Sequence, residues 1–179
     1  METQTNTTQR VTVRSTGIRF GLIGAVISIA YFVILNVSGL DITRGFWNWF
    51  GYLITAFLLF FAHKYYKENG DGFMAYGQGI GIAFWLGLIS GIISSVFTYL
   101  YIKFIDTGFI EMIKNKQIEA MQEQGLPDEQ IDRALEFSAM FMSAEAIFIM
   151  GLFGSIIATI IIALIVTIFT QRKNPEPAF

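Results

Sequence analysis

The sequence predicts an all-α membrane protein of four transmembrane helices, with an extramembrane helical hairpin between the third and fourth. Three observations carry this. Residues 79–101 (GIGIAFWLGLISGIISSVFTYLY) contain no Asp, Glu, Lys, Arg or His, and at 1.5 Å per residue a helix of that length crosses a hydrocarbon layer about 30 Å thick. The whole chain is 54% hydrophobic and only 15% charged, with a mean hydropathy of +0.55, whereas charged residues make up about 25% of an ordinary soluble domain. Finally, residues 103–142 break the apolar pattern with eight acids and four bases, too many to stay in lipid.

In chain order, residues 1–16 are polar and Thr-rich and read as a cytoplasmic tail, with Arg10 and Arg14 ahead of the first apolar run. Span one covers 17–37, and Arg19 is close enough to its end to reach the headgroups. That run is too long for the core of a cleaved signal peptide. A short turn at 36–45 makes spans one and two antiparallel neighbours. Span two, 47–66, opens on Trp47, Trp49, Phe50 and Tyr52 and closes on His63, Lys64, Tyr65, Tyr66 and Lys67, the aromatic and basic flanks that favour a membrane interface.

Span three is 79–101 and span four is 146–170. Between them a first helix is expected over 109–124, ending at Gly125, and a second starting at Pro127, Asp128 and Glu129, residues that suit a helix N-terminus. Ser143 is placed to cap span four, with Glu145 at its positive end. The tail 171–179 carries Arg172 and Lys173, then Pro175 and Pro177. Seven basic residues on the side of the termini, against Arg44 and the four in the hairpin, put both termini in the cytoplasm.

Lipid offers no hydrophobic drive between helices, so small residues that admit a close neighbour mark the interfaces. Gly79, Ala83, Gly87, Gly91 and Ser95 recur every four residues in span three, and Gly151, Ser155, Thr159 and Ala163 in span four. We therefore assign helix packing to Gly87, Gly91, Ser95, Gly151, Ser155 and Thr159, with a homo-oligomer as a further use of the same ridges. Residues 20–28 and 86–94 share a Gly-Leu-Ile texture, but 150–158 shares it too, and low-complexity chemistry accounts for all three.

Tyr76-Gly77-Gln78-Gly79, the YIKFID run at 101–106, the stretch KNKQIEAMQEQGLPDEQID at 114–132 and the close Arg172-Lys173-Asn174-Pro175-Glu176-Pro177 together resemble a family known only as domain of unknown function 4199. The resemblance spans nearly the whole chain. It implies a four-helix protein of the bacterial inner membrane and brings with it no activity and no functional residue.

The residues themselves offer little chemistry. No Cys is present, which removes disulfides and thiolate sites. Gly77, Gly79 and Gly81 miss the dinucleotide fingerprint, because the third glycine comes too early and no strand precedes them. His63 is the only histidine and, beside Lys64, reads as an interfacial side chain rather than a ligand or base. Met112, Met121, Met140 and Met142 lack Cys or His beside them to hold Cu(I), and the hairpin carboxylates lack calcium-loop spacing. No metal, no cofactor and no nucleic-acid partner is expected.

At depth only hydroxyls remain, on Ser28, Thr55, Ser90, Ser94, Ser95, Ser155 and Thr159; ion-coupled transport would ordinarily leave a charge there. The expected function is that of a non-enzymatic accessory or interaction subunit. Its hairpin would meet a protein partner through Ile110, Ile113, Met121, Ile131, Leu135 and Phe141, and its spans would meet membrane lipid. A small channel or carrier for a neutral or lipidic solute is the alternative.

Overall fold

The computed structural model describes residues 11–38 and 46–174. The predicted tail at 1–10 with Arg10, residues 39–45 of the turn predicted at 36–45, and the closing Pro175 and Pro177 lie outside the described residues; residues 36–38 of that turn are instead the last of the first helix.

Helix α1 (Val13–Ser38) starts earlier than the apolar run suggests. Thr12 and Ser15 explain this: each side-chain oxygen accepts from the other's backbone N–H, at 3.0 and 2.9 Å, a reciprocal cap that satisfies two N–H groups a helix start would otherwise leave unpaired. Residues 13–16, expected in the tail, are therefore helical. Helix α2 (Phe46–Glu68) follows, then α3 (Tyr76–Leu100), which continues into a π turn at Tyr101–Ile105. There the Asp106 N–H bonds the carbonyl of Tyr101, five residues back, at 2.9 Å.

Helices α4 (Phe109–Glu123) and α5 (Asp128–Ala139) are joined by a tight turn. Gly125 takes φ +72°; its N–H bonds the Gln122 carbonyl at 2.9 Å, and that of Leu126 bonds Met121 at 3.2 Å, the paired closure that ends a helix on a left-handed glycine. Nothing would crowd a Cβ there, so Gly125→Ala should cost only the left-handed penalty, about 1 kcal/mol. Amide exchange across 121–126 is expected to quicken roughly fivefold, and less in Gly125→Asn. Helix α6 (Ala144–Thr170) is capped by Ser143, whose Oγ accepts from the Ala146 N–H at 3.0 Å.

Among the described residues, three helices are long and apolar enough to cross a membrane: Val13–Ser38, Tyr76–Ile105 and Ala144–Thr170. The sequence predicts four, and α2 is the one that falls short. Its apolar run, broken only by Thr55, reaches from Leu53 to Ala62, because Trp47, Asn48, Trp49 and Tyr52 polarise one end and His63, Lys64, Tyr65 and Tyr66 the other.

The close contacts fix the bundle's directions. Gly17 meets Ile82 and Trp85, Gly21 meets Leu86 and Ile89, and Gly24 meets Ser90; both numbers rise together, so α1 and α3 run parallel. Gly79 meets Thr167, Gly87 meets Thr159, Gly91 meets Ser155 and Gly151 meets Ser95, so α6 runs antiparallel to α3. Helix α2 runs against α1, with Tyr65 on Arg19 at one end and the Trp47 carbonyl accepting from the Tyr31 hydroxyl at the other.

The start of α1, the end of α2, the start of α3 and the end of α6 therefore share one end of the bundle. Its core there is Leu59, Ala62, Met74, Ile82, Ala83, Leu86 and Ala163, all buried. Met74 and Arg172 exchange two backbone hydrogen bonds, at 2.8 and 2.9 Å, pinning the segment after α6 to the loop before α3. The other end packs Ile102, Phe109 and Ala144 against Phe32 and Tyr101, with Lys103 paired to Glu145 at 2.8 Å.

Outward, Ile149, Phe153, Ile157, Ile161, Leu164, Ile168 and Phe169 line one exposed face of α6. A row of large apolar side chains facing away from the core suits a membrane-embedded protein and would be a liability in water.

Candidate functional site: a hydroxyl-lined cavity beneath a buried histidine

The α3–α6 contact builds one wall of the site. A Cβ on Gly87 would stand 3.1 Å from both Ile156 Cα and Thr159 Cβ, one on Gly91 3.0 Å from Ser155 Cβ, and one on Gly151 2.8 Å from the Ser95 Oγ. Each step of four up α3 is matched by a step of four down α6, so all six predicted packing residues sit in this one interface. The Ser155 hydroxyl donates across it to the Gly87 carbonyl at 3.1 Å. The opposite side of α3 holds a second ridge that the sequence analysis missed, Gly17, Gly21 and Gly24 of α1. Its signal was present in the spacing of those glycines, four and three residues apart.

Between these walls lies a cavity of about 80 Å³, lined by Gly24, Ile27, Ser28, Tyr31, Gly51, Ile54, Thr55, Leu58, Leu86, Ser90, Ser155 and Thr159. Five of the seven hydroxyls expected at depth meet there; Ser94 and Ser95 do not. The donors are largely committed: Ser90 to Leu86 at 2.8 Å, Thr55 to Gly51 at 3.0 Å, and Tyr31 to Trp47. Most of the lining hydroxyls thus spend their proton on the protein's own carbonyls, and the volume accommodates a few waters.

Over one end of the bundle sits His63, and here the sequence reading is corrected. His63 is fully buried, not interfacial. Successive helix residues are turned about 100° apart, so His63 falls on the inward face of α2 with the buried Leu59 and Ala62, while its neighbour Lys64 faces out. Nε2 lies 3.2 Å from the Gly79 carbonyl and Nδ1 2.8 Å from Thr170 Oγ1. A carbonyl only accepts, so Nε2 carries the proton toward Gly79; in that tautomer Nδ1 accepts from the Thr170 hydroxyl, whose single proton is then turned from the Val166 carbonyl 2.9 Å away. The imidazole thus ties α2 to the start of α3 and the end of α6. Lys67 adds a second tie, its Nζ donating to the Thr170 carbonyl at 2.7 Å.

The same end gathers the described cations of the termini side. The Arg14 guanidinium stacks 4.9 Å over Trp85, Arg19 bonds the Tyr65 hydroxyl at 2.7 Å, and Arg172 lies 5.6 Å over Phe73. At the far end, the residues proposed to meet a partner are largely turned inward. Ile131 is buried, and Ile110, Ile113, Met121 and Leu135 are half-buried, the first two against the Ile102 cluster. Phe141 is exposed, with Phe137 and Met140 beside it. Periodicity finds the apolar face of each helix but not which faces close on their own neighbours.

Gly77 has open space around it and opens α3 with no strand before it. Among the described residues no group of three or more His, Cys, Asp or Glu side chains could hold a metal ion.

No curated protein and no solved structure matches this chain. A family model described as a protein of unknown function matches residues 19–172, a stretch that runs from early in α1 to the residue that pairs with Met74. The chain therefore belongs to the family of unknown function DUF4199.

Proposed function

We propose that this protein is a four-crossing membrane subunit of non-enzymatic kind, which acts by contact through the segment α4–α5 outside the bilayer of a bacterial cytoplasmic membrane. The observation that carries the partner reading is the exposed cluster at the end of α5. Phe137 is 64%, Met140 65% and Phe141 44% exposed, and the Phe137 and Phe141 rings pack 5.5 Å apart. Large side chains left clustered on the surface after folding favour a contact surface. In pull-downs at native expression, Phe137→Ser/Phe141→Ser should lose a co-purifying protein while its thermal unfolding stays unchanged; an unaltered set of partners would remove the reading.

The connectivity supports α2 as the fourth crossing. Helices α1 and α3 run parallel, so the chain must return from the end of one to the start of the other, and α2 makes that return alongside them. Its outward side chains Leu53, Phe57, Phe60 and Phe61 are as exposed and apolar as those of α6. Because the chain has no Cys, Phe57→Cys takes a single nitroxide. In reconstituted bilayers that label should collide with oxygen far more often than with a water-soluble nickel chelate, and the reverse ratio would put α2 outside the lipid.

The clustering of Arg14, Arg19, Lys64, Lys67, Arg172 and Lys173 at one end favours that end, and both termini with it, as cytoplasmic. A small channel or carrier that takes its neutral or lipidic solute through the hydroxyl-lined cavity has less support. That cavity is about 80 Å³, well below the roughly 300 Å³ at which ligand pockets begin.

A further inference from the structure

Outside the hydroxyl-lined cavity, α2 and α6 leave a groove between them on the outer surface. Its volume is about 420 Å³, its exposed lining is entirely apolar, and Phe57, Phe60, Phe61, Val166 and Phe169 form its walls. Phe57 is 65% and Phe169 82% exposed, so the groove opens sideways rather than into the core. An apolar surface alone would fit any neighbour. The charges at one end of the groove narrow the choice.

Thr170 lines the groove, and its carbonyl accepts from Lys67. Along α2, Phe57, Phe60, Lys64 and Lys67 follow one another at spacings of three and four, which places them on a single face of the helix. The two ammonium groups therefore stand where the apolar walls stop. Lys67 is aimed there by its bond to α6, and two of its three N–H donors are left over. Among the described residues Lys64 makes an exposed 3.7 Å pair with Glu68, a contact of little strength that another anion can replace.

We propose that the α2–α6 groove is a binding site for an anionic phospholipid, with one acyl chain along Phe57, Phe60 and Phe169 and the phosphate between Lys64 and Lys67. The apolar length supplies retention and the two cations supply headgroup preference; a zwitterionic lipid would meet the same walls but carries a compensating positive charge. The site rests on the reading that α2 lies in the bilayer.

Electron spin resonance on the full chain in phosphatidylcholine bilayers tests this, using chain-labelled phosphatidylglycerol and phosphatidylcholine as probes. The relative association of phosphatidylglycerol should exceed that of phosphatidylcholine by about fivefold where one lysine is engaged and by up to about 25-fold where both are. Lys64→Gln/Lys67→Gln should bring it to the phosphatidylcholine level. Since Lys67 also ties α2 to α6, Lys64→Gln alone is read beside it and should lower the preference part-way.

Ala56→Trp, which fills the groove, should reduce the motionally restrained fraction of phosphatidylglycerol with both lysines in place. Equal association of the two lipids with the native chain, or a preference that survives the lysine changes, overturns the site. So does displacement by inorganic phosphate, which would mark a headgroup-only anion site. Were α2 outside the lipid, the nitroxide at Phe57→Cys would be open to the nickel chelate; equal association with that label shielded would remove the lipid site and leave the fourth crossing standing.

Discussion

Gly87→Leu should lower the stability of the purified protein in detergent by about 3 kcal/mol or more, while Gly154→Leu, the same change on the facing helix, should leave it nearly untouched. A Cβ on Gly87 already stands 3.1 Å from the Ile156 Cα, which is backbone and cannot swing aside. The remaining atoms of a leucine would have to force α3 and α6 apart along their whole contact, and the Ser155 bond to the Gly87 carbonyl would break with them. Gly154 has nothing within 4 Å; it lies on the outer face of α6, where a leucine meets what the outer isoleucines already meet. Thermal unfolding followed by circular dichroism compares the two directly. Similar losses in both would mean that leucine disturbs these helices wherever it is placed, and that the small-residue contact is not what holds α3 to α6.

His63→Ala should cost about 2–4 kcal/mol, the largest loss expected from any single polar side chain here. The substitution removes a fully buried ring and leaves a void among Leu59, Ala62 and Gly79, and it removes the partner that the Gly79 carbonyl and Thr170 share. His63→Gln keeps an N–H able to reach Gly79 and should recover part of the loss. Lys64→Ala, one residue on, should move the unfolding midpoint little, since its side chain is exposed and its pair with Glu68 is long. If His63→Ala and Lys64→Ala behave alike, the imidazole is not the tie described here.

The helices were legible because lipid imposes a coarse requirement: enough consecutive apolar residues to cover a fixed thickness. Runs such as 79–101 satisfy it visibly. The α3–α6 ridge was legible for a related reason, since close approach in lipid demands small residues at helical spacing. The turn at Gly125 could be read because a left-handed helix end favours one residue type.

What the sequence hid were relationships between elements. His63 and Lys64 are adjacent in the chain but point to opposite surroundings, and only the position of α3 and α6 decides which of them is inside. The π turn at Tyr101–Ile105 has no residue signature of its own. The pairing of Met74 with Arg172 joins two loops through backbone alone, so no side chain announces it. Of the apolar positions on α4 and α5, periodicity could not say that Ile131 would be covered while Phe137 would not.

The placement of α3 between two ridges bears on how the protein is made. Translation delivers the parallel partner α1 well before the antiparallel α6, and the whole of α4 and α5 must be synthesised in between. During that interval one flank of α3 is already seated while the other still exposes bare glycine backbone to the bilayer. Biogenesis therefore passes through a half-assembled stage in which Gly87 and Gly91 await their match, which comes only when α6 has left the ribosome.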